Sequence, residues 1–200
     1  MMQEAGNVRP RRGGLMVGVL ILTVFAALWA AVGISGIQGN AVLVAVAAVL
    51  AVAVTAVVFT LSRRAVREGE TRAEREARTD RPELPASPDP EVGGNYRRFG
   101  LINMAQTVAI VAAVMILGRL DAWILVPPAV CLIVGLHFLP LAGVFGQPPY
   151  RWAGLLLVAV ALAGILASAV GAEPGTVRAL VGTGAALVLW ATALRVARGR

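Results

Sequence analysis

One histidine and a short polar stripe are the residues of this chain that could do chemistry inside an apolar environment. His137 is the only histidine, and it lies in the segment GLHFLP, residues 135–140. Asn103, Gln106 and Thr107 are spaced i, i+3 and i+4, which places them on one face of a helix. Because imidazole titrates near neutral pH, these side chains could relay protons, bind a polar ligand or sense pH. The alternative is structural, with His137 hydrogen-bonded to Asn103 or to a main-chain carbonyl so that helix packing is fixed.

The sequence carries no motif of a known catalytic chemistry. It contains no glycine-rich phosphate loop, no HExxH, no GxSxG and no pair of cysteines. Since His137 and Cys131 are the only residues of their types, neither a metal site nor a bound cofactor is expected. A serine or cysteine nucleophile would need a base, and His137 is the only histidine available for that role. We therefore expect a protein that is not an enzyme, without catalytic, cofactor-binding or metal-binding residues.

The composition places the chain in a membrane. Of its 200 residues, 58% are apolar and only 14% are charged, whereas a soluble domain has about a quarter of its residues charged. A disordered protein is excluded as well, because such chains are poor in apolar residues. All 18 basic residues are arginine, since lysine is absent, and with 11 acidic residues they give a net charge of +7. Basic patches interleaved with aromatic residues are missing, so anionic lipid is the expected partner of these arginines, and nucleic acid is not expected.

The apolar segments predict six membrane spans. Between Arg12 and Arg63 no residue carries a charge, and this stretch breaks at the turn-rich residues 35–40. A span needs about 20 residues of helix. The predicted spans are 15–36, 41–61, 99–118, 122–140, 152–171 and 176–194. The sixth is complete only if Arg178 extends its side chain toward the interface, and five spans is the alternative.

Arginine positions predict the orientation. With the N-terminus in the cytoplasm, 16 arginines lie inside and only Arg119 and Arg178 lie outside. The predicted fold is an all-α polytopic membrane helical bundle, with six transmembrane helices in three hairpins and both termini cytoplasmic. Its predicted regions are a cytoplasmic N-terminal tail 1–14, a first hairpin 15–61, a cytoplasmic linker 62–98, and a four-helix membrane region 99–200 with a short C-terminal tail.

The linker 62–98 divides into a charged half and a proline-rich half. Glu68 with Arg72, and Glu74 with Arg78, have the i, i+4 spacing that supports a helix, which we expect to continue to about Thr79. Prolines 82, 85, 88 and 90 follow and end helical structure. The residues Gly93-Gly94-Asn95 are expected to complete a flexible connector. The linker is either a solvated spacer or a docking segment for a cytoplasmic partner.

Two features of the predicted fourth span concern helix shape. Pro127 and Pro128 predict a helix kink in its outer half, since prolines free main-chain carbonyls. Pro128, Cys131 and Gly135 form a stripe of small residues, and His137 lies away from it. The stripe and the histidine are therefore expected to face different neighbours.

Residues 97–160 resemble a set of small bacterial multi-pass membrane proteins. The resemblance rests on Arg97-Arg98-Phe99 before a span and on the pattern Gly-x-His-Phe-x-Pro-Leu-Ala at 135–142, followed by Phe145 and Pro149-Tyr150. It covers about a third of the chain. The resemblance implies a multi-pass bacterial membrane protein and singles out His137, but it implies no activity. The proline-rich insert is not part of the resemblance.

These features favour a non-catalytic structural, regulatory or assembly component of the bacterial cytoplasmic membrane. The alternative is a small transporter or proton-coupled carrier that uses His137, Asn103 and Gln106, with Thr107 beside them. An intramembrane enzyme acting on lipid is disfavoured, because no pair of acid and base groups lies at a shared depth. Membrane lipids are expected partners, and the sequence leaves open whether a protein partner or a second copy of the chain joins them.

Overall fold

Six α-helices make up almost all of the chain that the structure describes. This computed structural model describes residues 12–37, 41–79, 90–145 and 148–198. The helices are α1 (Arg12–Ser35), α2 (Ala41–Thr79), α3 (Pro90–Arg119), α4 (Val126–Phe145), α5 (Pro148–Ala169) and α6 (Pro174–Ala197). A short 3-10 helix, Trp123–Leu125, precedes α4. Strands are absent from these ranges, so the predicted all-α fold is confirmed.

Each helix contains a stretch long and apolar enough to cross a membrane, which makes the chain a multi-pass membrane protein. The six stretches are Gly18–Ser35, Val44–Leu61, Arg98–Arg119, Trp123–Val144, Pro148–Ala169 and Pro174–Ala197. The sixth has a mean hydropathy of 1.6 over 24 residues, so the prediction of six spans is confirmed. Large apolar side chains cover the outside, as Val52 at 70% and Val108 at 62% exposure illustrate. Such a surface suits lipid and would aggregate in water.

The helices alternate in direction, so the bundle has two distinct ends. One end, here called the arginine end, carries Arg63, Arg98, Arg151 and Arg195, all exposed. The other, the turn end, carries the turns at 120–122 and 170–173. Trp152 at the arginine end and Trp123 at the turn end are each 59% exposed. Tryptophans at both ends of an apolar surface are typical of the two membrane interfaces.

Four helices form the interior. We call α1, α4, α5 and α6 the four-helix body: α1 packs on α6, α6 on α5, and α5 on α4. Its centre is filled by apolar side chains, among them Leu157 and Leu189, which are at most 1% exposed. Helix α2 lies outside the body against α1 and α6, whereas α3 packs on α4 and on the short 3-10 helix alone. Both peripheral helices therefore present most of their circumference to lipid.

Glycine contacts bring the helices of the body close together. On α1 and α6, a Cβ added to Gly182 would fall on the main chain of Gly33, and one added to Gly36 would fall on that of Gly175. On α4 and α5, a Cβ at Gly135 would lie 3.0 Å from the carbonyl oxygen of Gly154. Since lipid supplies no hydrophobic force between helices, close van der Waals packing at small residues carries much of their association.

The linker is more helical than the sequence indicates. Helix α2 continues to Thr79, as predicted, and its last 18 residues extend about 27 Å past the apolar stretch. Helix α3, however, begins at Pro90, so residues 93–95 are helical and the prediction of a flexible connector there is wrong. Proline suits the first position of a helix because its missing amide hydrogen would have no partner there. Prolines 82, 85 and 88 and the N-terminal residues 1–11 lie outside the described residues.

The prolines of the fourth span act differently from the prediction. Helix α4 begins at Val126, so Pro127 and Pro128 lie in its first turn, where the missing amides leave no helical bond unmade. The prediction of a kink at this pair is therefore wrong. Pro140, by contrast, lies inside α4, which continues to Phe145 where the sequence predicts an end. An internal proline leaves the carbonyl four residues before it, that of Leu136, without its helical donor.

Candidate functional site

His137 lies on the face of α4 that meets α3. Val130, Ile133 and His137 follow i, i+3 and i+7 spacing, and all three are half-buried. Because α4 continues past Pro140, His137 lies about 10 Å from the end of the apolar stretch at Val144. This depth is greater than the sequence indicates. The imidazole is thus a polar group inside the apolar span, where such groups are costly and are commonly functional.

The imidazole ring contacts the main chain of α3 on one side, and one of its nitrogens lacks a hydrogen-bond partner. It faces the main chain of Ile102 on α3. The Nδ1 atom is shielded from solvent and has no hydrogen-bond partner. Phe138 packs edge-on to the ring, with centroids 6.1 Å apart, and Phe138 in turn packs against Tyr150 of α5 at 5.8 Å. His137 therefore connects α3 to the body through its main-chain neighbour on one side and an aromatic contact on the other.

The polar residues of α3 lie near His137 in depth but are not bonded to it. Asn103 and Gln106 are half-buried, and they lie about 7 and 12 Å from Arg98 along the helix. Thr107 is exposed, and its hydroxyl donates to the carbonyl of Asn103 at 3.0 Å. In the described ranges, no hydrogen bond joins His137 to these three side chains. The structure thus places the predicted residues at one helix interface without closing them into a network.

The small-residue stripe of α4 faces α5, away from His137. The Cys131 thiol is fully buried and donates to the carbonyl of Leu157 at 3.4 Å. Pro128 packs near Gly164, and Gly135 packs near Gly154. The prediction that the stripe and the histidine have different neighbours is confirmed. This surrounding makes Cys131 a packing residue that a dissolved substrate could not reach.

The sequence does not indicate two main-chain groups of the site. The main chain of Ile102 faces the imidazole, and the Leu136 carbonyl loses its helical donor to Pro140. An apolar side chain gives no sign of what its main chain contacts, so Ile102 could not be found from sequence. Pro140 is evident in the sequence, but there it predicts the end of the span rather than a freed carbonyl inside the helix. Both groups add polarity to the surroundings of His137.

Chemically, the site offers one imidazole and two primary amides. These groups can exchange hydrogen bonds, and the imidazole can take up and release a proton. No carboxylate lies among them, and in the described part of the chain no three His, Cys, Asp or Glu side chains cluster as they would around a metal ion. The arrangement supports proton binding or helix packing better than bond-making chemistry.

Comparisons of the chain with known protein families, with curated proteins and with solved structures found no match.

Proposed function

We propose that this protein is a non-catalytic component of the bacterial cytoplasmic membrane, with a structural, regulatory or assembly role. In this proposal both termini and the extension of α2 lie in the cytoplasm, because the arginine end then faces the side on which positive charge accumulates. Exposed arginines at that end meet anionic lipid headgroups. Arg63 fits a position at the membrane interface, since its guanidinium stacks over the Phe59 ring at 5.0 Å just past the apolar stretch of α2.

The observation that carries the proposal is the apolar, close-packed interior of the four-helix body. Its buried polar side chains include Thr23 and Thr192, and each hydroxyl donates to a carbonyl one turn earlier in its own helix. A carrier needs polar groups along a path through the membrane, and a lipid-modifying enzyme needs paired acid and base groups. Close glycine contacts between α1 and α6 and between α4 and α5 leave little room for a polar path between those helices.

The proposal predicts a stoichiometric protein partner. The tagged full-length protein should be extracted from its host membrane in a mild detergent, and the copurifying proteins identified by mass spectrometry. We expect one partner at a molar ratio near that of the bait, absent when an unrelated tagged multi-pass protein is extracted in the same way. A second extraction with residues 80–94 deleted separates the two interpretations of the linker: loss of the partner indicates docking, and retention indicates a spacer.

One observation favours the carrier as a second candidate. The Nδ1 atom of His137 is buried without a partner, as expected where a transported proton would bind. Liposomes containing the purified protein and a pH-sensitive dye would measure proton flux under an imposed gradient. A protein that extracts without a partner and conducts protons, with the flux lost in His137→Ala, would replace the proposal with the carrier.

A further inference from the structure

Helix α3 is attached to the rest of the described protein by a single main interface. It packs on α4 and on the 3-10 helix that precedes α4, whereas α6 packs on α1, α2, α4 and α5. None of the residues in the apolar stretch of α3 is buried within the structure. The position of α3 therefore depends on the few side chains that face α4, and a change at one of them can change how α3 is held.

His137 lies in this interface, against the main chain of Ile102, and its ring fits there in the neutral form. A neutral imidazole has one nitrogen with a proton and one without, so the ring can face the Ile102 main chain while Nδ1 remains unprotonated and needs no acceptor. Protonation would place a second N–H donor, and a positive charge, on the nitrogen that has no partner. A buried donor without an acceptor is unfavourable, and a buried charge without a counterion is more so.

The described side chains of the elements packed against α4 offer no nearby anion to a protonated His137. Among the side chains that the structure describes, those on these elements that are charged or titratable and lie toward the arginine end are Arg98 on α3, Tyr150 and Arg151 on α5, and Arg195 on α6. Three of these are cations, and the fourth is a neutral phenol near pH 7. The 3-10 helix Trp123–Leu125 carries no titratable group and lies at the turn end.

The described carboxylates at the ends of these elements lie far from the ring. In the main chain of α3, position 91 lies 11 residues before Ile102, about 16 Å along the helix axis. Asp121 and Glu173 lie at the turn end of the bundle. Charging His137 would therefore add a cation to a bundle end whose described formal charges are also positive.

We propose that His137 is a proton-responsive latch, which holds α3 against α4 while the ring is neutral and releases α3 when the ring is charged. Release moves the start of α3, because α3 begins at the arginine end. The contact is complete while the ring is neutral and is lost when falling pH charges the ring. The latch acts on this chain alone and holds whether or not a partner protein is found.

Distances between spin labels on α3 and α5 test the latch in the full-length protein in lipid nanodiscs. Leu101 on α3 and Trp152 on α5 are both more than half exposed, so cysteines there accept labels without entering the interior. Cys131 is fully buried and can be retained, with the chain lacking introduced cysteines as the background sample. We expect the label distance to lengthen by about 10 Å, one interhelical spacing, between pH 8 and pH 5.

Three matched samples decide the outcome. A pair on Trp152 and Arg195, which leaves out α3, should show no dependence on pH. His137→Gln keeps a neutral polar side chain and should abolish the pH dependence of the distance between the labels on α3 and α5. Gln106→Glu supplies an anion one turn from Ile102, so the pH at which that distance lengthens should be lower. The latch would be overturned if the distance between the labels on α3 and α5 did not change from pH 8 to pH 5 in the protein that retains His137 and Gln106. It would also be overturned if His137→Gln showed the same lengthening as that protein.

Discussion

Replacing Gly182 with alanine is expected to separate α1 from α6 and to destabilise the protein by about 3 kcal/mol. The added Cβ would fall on the main chain of Gly33, and it would also lie 2.7 Å from the carbonyl oxygen of Trp29. Main chain cannot move aside as a flexible side chain can, so the two helices must move apart. They would then lose van der Waals contacts along their length, and those contacts carry much of the association of helices in lipid.

The effect of Gly182→Ala should be measured against Gly143→Ala in α4. Nothing lies within 4 Å of a Cβ built at Gly143, which is exposed, so alanine there meets no atom and removes a glycine from a helix. That control is expected to be neutral or stabilising by up to about 1 kcal/mol. Unfolding by SDS in mixed micelles, followed by the fluorescence of the buried Trp29 and Trp190, gives both values. Equal stabilities of the two variants would show that α1 and α6 do not pack as described.

Replacing Leu157 with alanine is expected to destabilise the protein by about 3 kcal/mol through a cavity in the middle of the body. The Leu157 side chain has no exposed surface and lies where α5 meets α4, beside the Cys131 thiol. Truncation leaves a void that neither lipid nor water can fill, so the side chains around it lose their contacts outright. The same SDS titration measures the loss.

The neighbouring residue supplies the control for Leu157. Leu156 is 50% exposed on the lipid-facing side of α5, and lipid tails can occupy the space left by its truncation. Leu156→Ala is expected to change stability by less than about 1 kcal/mol. A larger loss in Leu156→Ala than in Leu157→Ala would mean that the described faces of α5 are reversed.

The sequence predicts the number of spans well because helix length and apolar character are local properties. It predicts helix limits less well wherever a proline occurs. Pro90 begins α3 and Pro127 lies in the first turn of α4, both positions that tolerate a missing amide. Pro140 lies inside α4, since a membrane helix can continue through a proline when its freed carbonyl finds other stabilisation. A proline alone does not distinguish these cases.

The sequence could predict that the candidate site lies where α3 meets α4 toward the arginine end, but not its depth or its contacts. A tight turn joins α3 to α4, so the sequence could place His137 opposite the level of Asn103. Which atoms meet depends on how each helix is rotated about its axis, and the structure presents the Ile102 main chain to the ring. Packing between distant helices, such as that of Gly33 on Gly182, was not predictable, because a chain with 22 glycines offers too many candidate pairs.

The proposed topology, in which six crossings leave the arginine end and both termini in the cytoplasm, is tested most directly by thiol labelling of single introduced cysteines. Suitable positions are exposed at both ends of the bundle: Arg67 and Arg198 at the arginine end, Asp121 and Glu173 at the turn end. Cys131 is fully buried, which keeps the background low. With a membrane-impermeant maleimide, Asp121→Cys and Glu173→Cys should react in intact cells, and Arg67→Cys and Arg198→Cys only after permeabilisation. Labelling of Arg67→Cys in intact cells, or of Arg198→Cys together with Glu173→Cys, would contradict this topology.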